Sequence, residues 1–242
     1  MRIAAIQKTT LIDYPGHVAA TVFLAGCNFR CPWCYSKELV LPELIKTVPE
    51  IPEQKILEFL RGKKSYLEGI VLCGGEPTVN PDLPQFIQKI KDMGFLVKLD
   101  TNGSNPEMLD ALIGKKLIDY VAMDIKLPKE RYDQVFFAAV PVENIQKSID
   151  ILKTAGVDYE FRTTVVPGVH TEDDLILMSE WVGGSASSEQ AGEQGKPKYY
   201  LQNFRAERNI DPAYGAIKPY SDEFFAQVCA KIAGRFSVCK LR

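Results

Sequence analysis

The sequence is poor in several things that would each point toward a function. Only two histidines, His17 and His170, occur in 242 residues, so imidazole ligands are scarce. Structural zinc usually takes four protein ligands, and no fourth cysteine or histidine lies near the chain's one cysteine cluster. A formal charge of -2 offers no excess of either sign to attract nucleic acid or an anionic membrane. No apolar run approaches the length of a membrane span. The opening MRIAAIQKTTLIDYPG lacks the apolar stretch of a signal peptide. These absences predict a soluble, cytoplasmic protein that binds neither nucleic acid nor membrane. A hydrophobic content of 46% suffices for a substantial core, expected as one domain over residues 1–242.

What is present is an alternation of two patterns. Six times, an apolar, β-rich run precedes an amphipathic, helix-like stretch. The runs read as strands over 19–25, 69–73, 95–100, 120–124, 159–165 and 199–204. The helices are expected over about 52–60, 83–93, 106–113, 142–155, 172–182 and 222–233. Pro52 and Pro106 suit first helical turns, and Gly94 and Gly156 suit helix ends. Repeated β-then-α order implies a parallel sheet with right-handed crossovers. Eight such units close a full barrel, so six predict an α/β fold with a partial, open (β/α)6 barrel. FSVCKL at 236–241 reads as a closing strand. Residues 183–197, GGSASSEQAGEQGKP, are small and polar and read as a mobile surface loop.

Every polar or glycine-rich cluster falls where a strand ends, the face on which α/β barrels carry active sites. The stretch GCNFRCPWCYS leaves the first strand and places Cys27, Cys31 and Cys34 in a C-x3-C-x2-C spacing. Gly74-Gly75-Glu76-Pro77 leaves the second, and Asp100-Thr101-Asn102-Gly103 the third. Asp124-Ile125-Lys126 leaves the fourth and Val166-Pro167-Gly168 the fifth. In a reducing compartment, clustered cysteines serve more often as metal ligands than as disulfides. Soft thiolates in a compact loop suit zinc or an iron–sulfur cluster. On a four-iron cluster, three thiolates leave one iron open to a substrate. Cys73, Cys229 and Cys239 are scattered and read as small buried hydrophobes.

The three-cysteine motif, with Trp33 before its last cysteine and GGEP after the next strand, resembles the radical S-adenosylmethionine superfamily. The resemblance covers nearly the whole chain and implies a [4Fe-4S] cluster on Cys27, Cys31 and Cys34, with S-adenosylmethionine on the open iron. Reductive cleavage of that cofactor would give a 5′-deoxyadenosyl radical. By the same resemblance, Gly74 and Gly75 let backbone approach the ligand and Glu76 accepts its ammonium group. Asp100, Thr101 and Asn102 would meet the ribose, or else simply cap the turn. Arg162, inside an apolar strand, needs an anion: either the cofactor carboxylate or a structural ion pair. Val166 would meet adenine through its backbone, and Trp33 would pack on adenine or cover the cluster. Asp124 and Lys126 point to one face, inside the barrel, and Lys126 joins the expected cofactor-binding residues.

The stretches IQKTTLIDYPG, FLAGCNFRCPWC, LDTNG, MDIK, RTTVVPG and YYLQNFR together resemble the activating proteins of glycyl-radical enzymes, most closely the anaerobic ribonucleoside-triphosphate reductase type. That resemblance implies a protein partner whose glycine loses a hydrogen, and an electron donor such as flavodoxin or ferredoxin. It also implies a monovalent cation held by Asp100 and Asp124 with the carbonyls of Thr101 and Ala122; a salt bridge from Asp124 to Lys126 or Arg162 is the alternative. One departure stands out: Tyr35-Ser36 follows the third cysteine, where many relatives have His-Asn. Ser36 is similar to the hydroxyl residue of 7-carboxy-7-deazaguanine synthases, which gives a small-molecule alternative. A metal-stabilised binding module is the non-enzymatic one. No residue is assigned a catalytic role.

Overall fold

The computed structural model describes residues 1–135, 141–184 and 196–242, with the side chains of 134 and 135 set aside. Its centre is an eight-stranded sheet whose strands lie side by side in chain order. Strand β1 (Ile3–Thr10) runs antiparallel to β2 (Ala19–Leu24). From β2 onward all neighbours are parallel: β3 (Gly69–Gly74), β4 (Leu96–Thr101), β5 (Tyr120–Asp124), β6 (Asp158–Val165), β7 (Lys198–Asn203) and β8 (Val238–Leu241). Among the described residues no pairing joins β1 to β8, so the sheet stays open.

The six expected strands and the closing strand are all present, with ends moved by one or two residues. Their legibility has a physical cause. Parallel strands are covered on both faces and carry near-continuous apolar runs, and β2 and β3 each bury their first four residues. Strand β1 was not expected. It buries Ile3 and Ala4 but leaves Ala5, Gln7, Lys8 and Thr9 exposed, as an edge strand does.

The helices are α1 (Pro42–Ile45), α2 (Glu53–Arg61), α3 (Leu83–Asp92), α4 (Pro106–Gly114), α5 (Val142–Thr154), α6 (Glu172–Gly183) and α7 (Asp222–Ile232). Helix α3 shows why they dock: Leu83, Phe86, Ile87 and Ile90 form one buried stripe at helical spacing. Each such side chain contributes about 1.5–3 kcal/mol when fully buried. Local chemistry sets the ends. Asn105 accepts from Met108 N at 3.1 Å ahead of Pro106, and Thr171 and Asp174 form a reciprocal capping box on α6. Gly94 (φ 81°) and Gly156 (φ 69°) take the left-handed backbone that stops α3 and α5. Pro52 sits one position earlier than expected, at the cap of α2.

Of the expected loop at 183–197, residues 185–195 lie outside the described residues. Among the described residues, no helix is long and apolar enough to cross a membrane. The scattered cysteines do not all read as isolated hydrophobes. Cys229 on α7 and Cys239 on β8 bring their sulfurs within 3.1 Å, and Cys73 faces the cavity described next.

Candidate functional site

The parallel strands release their loops on one side, and a cavity of about 420 Å³ opens there and runs into the barrel. Cys27, Cys31 and Cys34 share its wall with Trp33, Gly74, Gly75, Glu76, Asp100, Thr101, Asn102, Asp124, Lys126 and Arg162. All three thiols are free of disulfides. Thirteen expected residues and the pair Tyr35-Ser36 thus converge from loops far apart in the chain. Val166 and Ala122 do not: neither is on the cavity wall, and both are fully buried.

The cysteine loop is held by backbone. Gly26 N donates to Leu39 O at 2.8 Å, and Cys34 N to Cys31 O at 2.9 Å. Arg30 curls back, its guanidinium donating to Cys27 O at 2.6 Å and Phe29 O at 2.7 Å. Phe29 N donates to Cys27 Sγ at 3.4 Å. From outside, Ile210 N and Asp211 N donate to Cys34 O and Pro32 O, each at 3.0 Å. Asn28 ties the loop to the β4 exit, donating to Ser104 Oγ at 2.7 Å and accepting from Asn102 Nδ2 at 3.0 Å.

Burial pushes the Cys27 and Cys31 thiols up to about 12, and Cys34 rises for the same reason. The Lys126 cation pulls all three the other way without prevailing. Thiolates here therefore need the positive charge of bound metal. Among the described residues, no three His, Cys, Asp or Glu side chains gather closely enough for a single metal ion. Three thiols spread around one cavity suit a larger, many-iron cluster instead.

The GGEP turn has a role beyond the one expected. A Cβ on Gly75 would overlap the Gly26 carbonyl and come within 3.0 Å of Leu39 O. One on Gly74 (φ 120°) would stand 2.6 Å from Leu24 N. What fills the missing side chains' space is the start of the cysteine loop itself. Gly75 N donates to Leu24 O at 2.8 Å and Glu76 N to Gly26 O at 2.7 Å. The glycines clamp the two loops together.

Glu76 is 1% exposed, and among the described residues no cation bonds its carboxylate. Its Oε1 accepts from Thr78 N (3.1 Å), Thr78 Oγ1 (2.6 Å) and Thr101 Oγ1 (2.7 Å), and its Oε2 from Asn102 N (2.6 Å). Burial raises its pKa, and these neutral donors only partly offset that. A buried carboxylate so placed is a receptor for an ammonium group. Thr101 and Asn102 therefore line the cavity but also orient Glu76.

Beside it lies a charged network. Arg162 bridges both aspartates, through Nε to Asp124 Oδ1 at 2.8 Å and Nη1 to Asp100 Oδ2 at 2.9 Å. Lys98 Nζ contacts Asp100 Oδ1, and Lys126 Nζ lies 3.1 Å from Asp124 Oδ2. Burial works against both carboxylates' charge, yet Arg162 holds them below the usual range, with Lys98 aiding on Asp100 and Lys126 on Asp124, which falls to about 2. Three cations against two anions leave one positive charge, so the network can still take an anionic group.

Val166 is committed to the fold. Its N–H donates to His170 Nδ1 at 3.0 Å, and its carbonyl accepts from Val169 N and His170 N. The other ring nitrogen of His170 reaches Lys126 O at 2.8 Å, so Nε2 carries the proton. His170 thus pins the β5 and β6 exits together, and Trp33 packs edge-on against its ring at 5.9 Å. Tyr35 is 56% exposed at the cavity mouth with the Arg205 guanidinium over its ring. Sequence reasoning missed Lys98, His170, Arg205 and the 205–211 segment over the cysteine loop. Lys98 carried the same signal as Arg162, a lone cation in an apolar strand; the others become visible only in three dimensions.

Comparison with known proteins agrees with this geometry. A family model described as the Radical SAM superfamily matches residues 21–181. A candidate glycyl-radical enzyme activating enzyme of Methanocaldococcus jannaschii is 38% identical over 186 residues, covering 74% of this chain and 75% of that protein. A 7-carboxy-7-deazaguanine synthase of Methanopyrus kandleri is 33% identical over 132 residues, 48% of this chain and 52% of the relative. Among solved structures, a domain of pyruvate-formate lyase-activating enzyme from Bacteroides vulgatus has the same fold, with a TM-score of 0.55 at 19% identity. That match covers 72% of this chain and 98% of the domain.

Proposed function

The chain belongs to the radical SAM superfamily, and on that premise we propose that it activates a glycyl-radical enzyme by removing a hydrogen atom from a glycine of that protein. The superfamily implies a [4Fe-4S] cluster and S-adenosylmethionine. The residues present fit both: three free thiols on one wall, a buried carboxylate with no cationic partner among the described residues, and a network with one positive charge to spare. When bound, the two together supply a 5′-deoxyadenosyl radical, chemistry that belongs to the cofactors.

The chain's own residues bind and position. Cys27, Cys31 and Cys34 would hold three irons of the cluster, with the Phe29 amide bonding one sulfur. Glu76, steadied by Thr78, Thr101 and Asn102, would take the ammonium group of the methionine part. Arg162 and Lys126 would take its carboxylate, the anion their network lacks. Gly74 and Gly75 fix the distance between the Glu76 loop and the cysteine loop. Asn102 and Thr101 stand on the wall where ribose would lie, and Trp33 covers the cluster from the His170 side. Among the described residues β1 and β8 do not pair, an open sheet that suits entry of a polypeptide loop.

The observation that carries the activase reading is the 38% identity to a candidate activating enzyme over three quarters of both chains. The anaerobic ribonucleoside-triphosphate reductase is the partner proposed, with a flavodoxin or ferredoxin as electron source. Reconstituted, reduced protein mixed with S-adenosylmethionine and this partner under anaerobic conditions should give the doublet of a glycyl radical by electron paramagnetic resonance. Deoxyadenosine release without any doublet would sink the reading. A second reading, a radical enzyme acting on a purine-like small molecule, draws on the deazaguanine synthase relative and on Ser36 at the mouth. It predicts deoxyadenosine release that depends on the small molecule and ignores the protein.

A further inference from the structure

The family resemblance implies a monovalent cation between Asp100 and Asp124, and the side chains present do not fit one. Each of the four carboxylate oxygens already has a cationic donor. Asp100 Oδ1 holds Lys98 Nζ, and its Oδ2 holds Arg162 Nη1 at 2.9 Å. Asp124 Oδ1 holds Arg162 Nε at 2.8 Å, and its Oδ2 holds Lys126 Nζ at 3.1 Å. The Arg162 guanidinium spans the two aspartates, where an ion shared by them would sit. Of the two expected carbonyl donors, Thr101 is on the cavity wall, but Ala122 lies inside the sheet in register with Asp100 on β4 and Glu160 on β6 and is not on that wall. A free ion entering here would raise the local charge from one positive to two, in a region where Lys98 is 1% exposed and Arg162 12%. Like charges brought together away from water repel strongly.

We infer that the fold's own cations take the place of that ion: the Arg162 guanidinium spans the two aspartates, the Lys98 ammonium group closes the other oxygen of Asp100, and neither Na⁺ nor K⁺ binds between Asp100 and Asp124. Three observations support the assignment. Lys98 is a lone cation on β4, its stem is completely buried, and among the described residues its carboxylate contact is Asp100 alone. A lysine in an apolar strand interior is costly unless its charge is used. Removing it would strip Asp100 Oδ1 of its donor and leave a hole large enough for a small ion. Lys98 is thus a positioning residue: it keeps Asp100 charged and fixed, and Asp100 in turn holds Arg162 toward the cavity.

The inference takes the place of the missing ion from the family reading, but its test does not need that chemistry to succeed. The full chain, with the cluster reconstituted and without it, is melted in NaCl, KCl, NH₄Cl and tetramethylammonium chloride at equal ionic strength. Wild-type midpoints should agree across the four salts. Saturable stabilisation by one small ion, on the order of 5–10 °C when well above its dissociation constant, would overturn the inference. In Lys98→Ala the midpoint should drop in tetramethylammonium and recover selectively in K⁺ or NH₄⁺. No selective recovery in that variant would also overturn it. Lys98→Ala with Asp100→Asn, which removes the charge and its partner together, should lose the selectivity again. Should Lys98→Ala fail to fold, thallium-205 resonance on the wild type decides: a line broadened by the protein and restored by K⁺ refutes the assignment, and an unaffected line supports it. A failed glycyl-radical assay would leave all these results standing.

Discussion

Alanine at Gly75 should damage the cysteine loop from a distance. The new Cβ would stand 2.6 Å from the Gly26 carbonyl carbon and nearer still to its oxygen. Non-bonded carbons rest at about 3.5–4.0 Å, so one strand exit must retreat by about 1 Å. Backbone on both sides forbids a cheap escape, because Leu39 O lies 3.0 Å away in another direction. Three short bonds are at stake: Glu76 N to Gly26 O (2.7 Å), Gly75 N to Leu24 O (2.8 Å) and Gly26 N to Leu39 O (2.8 Å). Overpacking costs about 1–3 kcal/mol, and a buried group left unpaired about 1–3 kcal/mol more. A loss of roughly 2–6 kcal/mol follows, a large part of an ordinary domain's stability. Urea unfolding of the metal-free chain should show it as a midpoint lowered on the order of 1–2 M. Iron and sulfide retained after reconstitution should fall as well, since Cys27 follows Gly26 directly. Gly114, at the end of α4, has nothing within 4 Å of its would-be Cβ. Gly114→Ala should therefore hold or gain up to about 1 kcal/mol. If Gly75→Ala unfolds and loads iron like Gly114→Ala, the clamp reasoning fails.

Three more perturbations test the site. Cys31→Ala should abolish cleavage of S-adenosylmethionine while the core stays folded, whereas Cys73→Ala, on the same wall, should keep its iron; retained turnover in the first would refute the ligation. Glu76→Gln should weaken S-adenosylmethionine binding roughly 10- to 100-fold, the worth of one charge-assisted hydrogen bond, with cluster content unchanged; equal affinity by equilibrium dialysis would remove Glu76 from the ammonium role. The network also sets an acid limit. Asp124, held at about 2 by Arg162 and Lys126 despite burial, contributes stability that is present above its ordinary value of 3.8 and lost as pH falls toward 2. Acid unfolding of the metal-free chain should steepen in that window on the order of 2 kcal/mol, and Asp124→Asn should flatten it; superimposable curves would count against the ion pairs.

How much of this was legible in the sequence depended on how local each feature is. Strands β2 to β7 announced themselves because burial on both faces demands unbroken apolar runs. Strand β1 did not, since an edge strand half in water looks like any polar segment. The cysteine cluster was legible because three residues within eight carry the whole signal. Glu76 was named, but its four donors come from its own turn and the β4 exit, contacts that spacing does not reveal. The glycines were read as making room for a ligand, while the structure fills that room with Gly26 and Leu24. Lys98 was passed over although Arg162, an identical anomaly two strands away, was not. Val166 was expected at the ligand, yet His170, four residues on, claims its amide. Pairings between loops decide such details, and no single stretch of sequence contains them.

The two amides of Ile210 and Asp211 that grip Cys34 and Pro32 come from a stretch made some 180 residues after the cysteines themselves. On the ribosome, then, the thiols emerge well before the segment whose amides hold their loop. Iron delivered before that segment appears meets an unfinished socket. A cluster held by these thiols would meet its complete socket only after residues 210 and 211 have closed over the loop.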